Sequence, residues 1–333
     1  MQIKNSMTAV MIILLVAAFS AAGAVCLPDN PYQRFQFLPV LDQRLAWAYE
    51  RIRYDPMPID IAIVGPSKTL MGVSGAELER RLSVLGKTAH VANFSLVYQG
   101  RNAQWAILDE LYKHKSPRIV VVQFDEKTAP WGHPWFMYFA PSVSVAFPPS
   151  IFLHDYFPDL SFLPFRQMEL FAASLFPNAF GLRLAFDPVR YAHARTDFTT
   201  LFRGVNGEPV DPQREVPAAE LRAAHEEFEK DQHIARLPRI LAPLVDADDR
   251  LYLDKIAALA LTHGTKLLML YIPDFESGTL DETTRKYYGR FGEVLDCSDL
   301  AGRSTLYVNW AHLNHTGAMI LSDRIADVAA PQL

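Results

Sequence analysis

One stretch, "PIDIAIVGPSKTLMGVSGAELERRLSVLG", constrains what this chain can fold into more than any other. Residues 59–64 are β-branched or small apart from Asp60, and the run is short enough for a strand buried on both faces. Residues 65–69 read as a loop. Residues 74–85 read as an amphipathic helix in which Ser74 and Glu77 have the spacing of a capping box. The same grammar repeats with a short strand at 89–94, a helix at 102–114 capped by Asn102, and a continuous apolar strand at 118–124. Strand, helix, strand at this spacing requires a parallel sheet, because parallel neighbours need a crossover. Further on come a helix at 249–263 closed by Gly264, a strand at 266–272, a helix at 281–291, a short strand at 293–297 and a last helix at 315–328. This order gives a doubly wound α/β sheet spanning 55–333.

Between about 129 and 243 the rhythm breaks. Prolines and aromatics crowd together ("PWGHPWFMYF", "SIFLHDYFPDLSFLPF"), and a charged helix follows at 218–235, so the segment reads as a large insertion. Pro-broken aromatics at this density read as a small satellite core rather than a sugar- or lipid-facing surface. At the other end, Lys4 precedes a charge-free stretch over 7–25 that approaches the roughly 20 residues needed to span a bilayer. Residues 1–26 are therefore read as a signal peptide or membrane anchor, with Ala22-Gly23-Ala24 as the cleavage site in the first case. Residues 27–54 form a lead-in, with a helix at 41–54 that stops before Pro56. Val25 stands where lipid attachment to Cys26 would need a small residue. Cys26 and Cys297 do not make a disulfide framework and read as structural thiols. A net charge of −5 without a Lys/Arg run gives no electrostatic footprint for nucleic acid.

Doubly wound sheets bind ligands outside the carboxyl ends of their strands, which draws attention to Ser67 in the loop after the first strand. Taken alone, Ser67 is a serine in a turn before a helix. Gly65-Pro66-Ser67-Lys68-Thr69 is not a G-x-S-x-G elbow, since Thr69 replaces the second glycine, and it lacks phosphate-loop spacing. A second block, "NWAHLNHTGA" at 309–318, is open to three readings: a catalytic base on its loop, a metal site, or a helix cap with incidental histidines. His312 and His315 lie three apart, and His133, His154 and Asp155 are scattered in the insertion. None has H-E-x-x-H or paired Cys/His spacing, so neither a metal site nor a cofactor is expected.

In that order, "IDIAIVGPSKTLMGV" and "NWAHLNHTGA" resemble the first and last blocks of the SGNH, or GDSL-like, hydrolase superfamily. The resemblance covers about 55–128 and 245–333 and implies a three-layer α/β/α sheet. It makes Ser67 the nucleophile and His312 the base that takes the serine proton. Where the family has an aspartate three residues before the histidine, this chain has Asn309. An asparagine can accept the imidazole N–H but brings no negative charge to an imidazolium. Three outcomes remain open: a Ser-His dyad helped by Asn309, a replacement acid such as Asp296 or Asp299, or a degenerate site, with the dyad favoured. "VANFSLVYQGRN" resembles the family's second block, which makes Gly100 the oxyanion glycine and leaves Asn93 and Asn102 as loop or cap residues. The third block is missing. "VVVQFDEKT" stands in its place and puts Asp125 at the position of an oxyanion-binding asparagine.

The resemblance implies an exported, periplasmic serine esterase or acyl (acetyl) transferase, anchored in the inner membrane by its N-terminal helix. It would act through an acyl-serine on an acyl ester or acylated cell-envelope carbohydrate, beside a polytopic membrane acyltransferase. The alternative is a catalytically degenerate envelope binding or assembly protein with the same fold.

Overall fold

The computed structural model describes residues 2–37, 44–126, 132–149, 155–191, 197–203, 209–232 and 242–333. Two compact units emerge, one made of 1–54 with 134–191, the other of 55–133 with 192–333. The insertion expected at 129–243 is thus divided. Its first part joins the lead-in to form a helical unit, and the remainder belongs with the sheet.

The helical unit contains α1 (Gln2–Val25), α2 (Pro31–Gln36), α3 (Arg44–Arg53), α7 (Phe136–Phe139), α8 (Ser142–Ala146), α9 (Tyr156–Leu175) and α10 (Pro177–Phe180). Aromatic packing explains why the lead-in belongs here. Tyr32 and Phe35 of α2 are buried, with Tyr32 stacked on Tyr49 of α3 at 5.6 Å and Phe35 edge-on to Phe139 of α7 at 5.2 Å. Pro31 opens α2 with its φ already helical, and the Asn30 side chain accepts the Tyr32 amide at 2.9 Å. Tyr32 donates its hydroxyl to Glu50, which also pairs with Arg183 at 2.8 Å. The aromatic run is only partly core: Phe136, Phe139 and Leu163 are buried, whereas Phe147, Phe157 and Phe165 are exposed.

Helix α1 packs along α9 and leaves Val10–Val16 and Phe19 more than half exposed. Among the described residues no helix is long and apolar enough to cross a membrane.

The second unit is built on a five-stranded parallel sheet of β1 (Ile61–Val64), β2 (Val91–Asn93), β3 (Ile119–Phe124), β6 (Lys266–Tyr271) and β7 (Glu293–Asp296), in the order β2-β1-β3-β6-β7. Alternate side chains feed two cores. Ile61, Ile63, Ile119, Val121, Leu268 and Leu270 point to one face, where they meet Leu78 and Leu82 of α5 (Gly75–Val84) and Leu321 and Ile325 of α14 (His315–Ala329). The opposite face is served by α6 (Arg101–Tyr112), which packs on α12 (Ala242–Thr262). Helices on both faces of a parallel sheet make the three-layer α/β/α arrangement. Two short antiparallel pairs complete the unit: β4 (Phe202–Arg203) with β5 (Pro209–Val210), and β8 (Tyr307–Asn309) with β9 (His312–Leu313). Helices α11 (Ala218–Gln232) and α13 (Glu282–Tyr288) flank the later strands.

Some local expectations shift. Residues 65–69 are not all loop, because α4 (Ser67–Gly72) begins at Ser67 itself. Ser74 caps α5 by accepting the Glu77 amide at 3.3 Å, but the return arm of a capping box is absent: the Ser74 amide goes to Ser322 Oγ at 2.9 Å and Glu77 turns to Arg80. The cap of α6 is Gly100 rather than Asn102, whose side-chain oxygen instead takes the amides of Ala103 and His133.

Candidate active site

Winding reverses between β1 and β3, and at such a switch point the loops leave the sheet in opposite directions and open a crevice. Ser67 lies just past the end of β1 and Asp125 just past the end of β3. The turn into α4 is tight. A Cβ on Gly65 would lie 2.3 Å from Thr69 Oγ1 and 3.0 Å from Gln123 Cβ, so only glycine lets β1 pass directly into the helix carrying Ser67. Asn93, at the end of β2, holds α4 from the other side by donating its amide to the carbonyls of Thr69 and Val73, both at 3.1 Å. Asn93 thus ends a strand rather than sitting in a loop.

His312 arrives from the far end of the chain on the hairpin β8–β9. Ser67 Oγ lies 2.8 Å from His312 Nε2, and His312 Nδ1 lies 2.9 Å from Asn309 Oδ1. The same Asn309 oxygen accepts the backbone amides of Ala311 at 3.0 Å and His312 at 2.9 Å. Two backbone N–H groups can face only the oxygen of a side-chain amide, so they fix which end of Asn309 meets the ring. Nδ1 must then carry the proton, and Nε2 is left with the lone pair that accepts the Ser67 hydroxyl. Burial, aided by the positive charge of Lys68, pulls the half-buried His312 imidazole down to about 4 from its ordinary 6.5. It is therefore neutral at physiological pH, as a resting base must be.

Neither replacement acid serves His312. Asp296 accepts from Arg285 and from the Ser298 amide, and Asp299 holds Arg324 through two contacts of 2.6 Å. Asn314 and His315 belong to the start of α14: Asn314 caps it by accepting the Gly317 amide at 3.0 Å, and His315 Nδ1 meets Thr199 Oγ1 at 3.2 Å.

The oxyanion assignments need correction at Asp125. Its two oxygens accept from Lys68 Nζ at 2.9 Å and from Gln99 Nε2 at 3.0 Å, so it is an ion-paired acceptor and not an oxyanion donor. Gly100 follows Gln99 with φ +149°, and a Cβ there would overlap the His133 backbone at 2.3 Å. The glycine is required by that close approach, which the sequence did not reveal. His133 is buried with Nε2 2.7 Å from the Val97 carbonyl, and burial lowers it to about 4.

Several residues of the site were missed. Lys68 Nζ also lies 2.8 Å from Asp274 Oδ1, which joins the carboxyl ends of β1, β3 and β6 through one ammonium. Hydrogen-bond geometry is met only toward Asp125. Burial works against the Lys68 charge, but the two carboxylates outweigh it and raise the ammonium above its ordinary range. Burial likewise pushes Asp274 upward, opposed by Lys68. Trp310, at the hairpin tip, stacks on His225 of α11 at 4.5 Å and meets Phe228 at 4.6 Å. The position of Asp274 at a strand's carboxyl end was the available signal; the partners of Trp310 had none.

Among the described residues no group of three His, Cys, Asp or Glu side chains is placed to hold a metal ion, and His154 lies outside them. Both cysteines are free, Cys26 exposed and Cys297 buried. No family model matches this chain, and no curated protein matches its sequence.

Proposed function

We propose that this chain is an exported serine esterase or acyl (acetyl) transferase of the SGNH type, acting on a cell-envelope carbohydrate through an acyl-serine intermediate. The observation that carries this reading is the hydrogen-bonded line from Ser67 Oγ through His312 to Asn309, with links of 2.8 and 2.9 Å. Ser67 Oγ attacks the acyl carbonyl while its proton passes to His312 Nε2, and the departing alcohol then takes that proton. Water, or a sugar hydroxyl deprotonated by His312, attacks the acyl-serine in the second half. The two outcomes share every residue of the first half and differ only in the acceptor. For the oxyanion, the Ser67 amide belongs to the first turn of α4, where a helix offers no internal acceptor. The apolar α1 supports a tether at the membrane, next to a polytopic acyltransferase that would supply the acyl group.

A serine-directed fluorophosphonate tests the nucleophile. The wild type should label, while Ser67→Ala and His312→Ala should lose labelling; a wild type that labels no better than Ser67→Ala would end the enzyme reading. One observation favours the second reading, a degenerate envelope binding protein: Asn309 supplies no charge to an imidazolium, and the Lys68 cation opposes one. That reading expects equal, background labelling in all three proteins. Release of free acid unchanged by any oligosaccharide acceptor would remove the transferase branch.

A further inference from the structure

Helix α9 is apolar on both its faces. An amphipathic helix in water turns its apolar face inward. In α9 the buried face carries Leu163, Leu170 and Ala173 together with Arg166, at 0% exposure, and Gln167, at 1%, whereas Phe157, Phe165, Met168 and Leu175 on the outer face are 70, 64, 45 and 58% exposed. These four fall on one side of the helix, and Phe176 continues the patch at 65%. The Arg166 guanidinium is satisfied internally, donating to the carbonyls of Met137 at 2.6 Å and Ala140 at 2.9 Å, and Gln167 donates to the Leu27 carbonyl at 3.1 Å. A guanidinium and an amide turned inward onto backbone carbonyls, with large apolar groups outward, is the arrangement expected where the surrounding solvent is hydrocarbon.

We infer that the exposed face of α9 rests in the acyl-chain region of a bilayer, as a second membrane contact beside α1. The inference rests on the anchored reading of α1. The occupant is lipid because α1, which contacts α9, exposes only apolar side chains from Val10 through Val16 and at Phe19, so the two contacting helices ask for one solvent. Glu169 is the charged exception on the exposed side of α9, and it falls at the edge of the apolar stripe, where a flexible acid reaches headgroup water.

The test uses the full chain with Cys26→Ser and single cysteines at Phe165→Cys, Leu175→Cys and, as a control on α5, Val84→Cys. Cys297 stays unlabelled because burial raises its thiol to about 11. Each protein is labelled with bimane and reconstituted into phosphatidylethanolamine and phosphatidylglycerol vesicles with or without brominated acyl chains. The Phe165 and Leu175 labels should be blue-shifted and lose most of their emission in brominated vesicles, while the Val84 label should not change. If the protein floats with vesicles but all three labels behave alike, the α1 tether stands and the α9 contact is wrong. Blue-shifted labels that bromine leaves bright mean that protein, such as a second copy, covers the face, which also overturns the inference. A chain that does not float removes the tether and this contact together.

Discussion

Asn309 gathers three donors on one oxygen, and this geometry bears on whether an asparagine can serve in an aspartate's place. In a serine protease the Asp-to-Asn change costs about four orders of magnitude in rate, partly because the amide selects the wrong imidazole tautomer. Here the two backbone amides prevent that error, and what is missing is only charge. Asn309→Leu, which removes the acceptor, should lower the acylation rate by about two orders of magnitude or more. Asn309→Asp should retain activity, and stopped-flow acylation separates the two variants. The pH profile carries a sign as well. His312 works when neutral, so the acid limb of kcat/KM should fall near 4 rather than near 6.5. A carboxylate at 309 stabilises the imidazolium and moves that limb upward. Lys68→Gln removes a cation that disfavours the imidazolium and should also move it upward; a limb that stays near 4 in both variants would contradict the assignment of the titrating group.

At the scale of elements, the serine is aimed by the direct passage from β1 into α4. Gly65→Ala forces its new methyl into Thr69 and Gln123, overpacking that typically costs about 1–3 kcal/mol and here displaces the helix that begins with Ser67, the proposed nucleophile. The variant should keep its circular dichroism and lose fluorophosphonate labelling; full labelling would show that α4 tolerates the shift. Strands β1, β3 and β6 were legible in the sequence because burial on both faces leaves an apolar run with few alternatives. The Ser67–His312 pairing was legible through two short blocks of residue types. The start of α4 was not, since six residues are too few for a helical period to declare itself. Nor was the missing arm of the capping box, because Ser322 competes for the Ser74 amide from an element distant in sequence. The same reason hid the joint role of Lys68, Asp125 and Asp274. The split of the insertion depended on Tyr32 and Phe35 finding Tyr49 and Phe139, a choice made by tertiary packing.

For the whole molecule, His133 and His312 are both held neutral in the fold, each lowered to about 4, while in the unfolded chain they titrate near 6.5. Between those values the unfolded state binds more protons, so stability is retained above about 6.5 and declines as pH falls toward 4. The decline is at most about 1.4 kcal/mol per pH unit for each group. Urea unfolding from pH 7 to 4 should show it, and His133→Gln should flatten it; an unchanged slope would mean His133 is not buried neutral. Finally, strand β3 pairs with β6 at Ile119 and Lys266, and residues 134–191 of the helical unit lie between the two strands in the sequence. During synthesis, β1, β2 and β3 emerge together and can associate early, whereas β6, β7 and the histidine hairpin must follow that whole segment out of the ribosome. Ser67 waits for a partner 245 residues downstream. The nascent chain therefore carries Ser67 without its imidazole until the rest of the sheet has closed, and the line from Ser67 through His312 to Asn309 forms among the final events of folding.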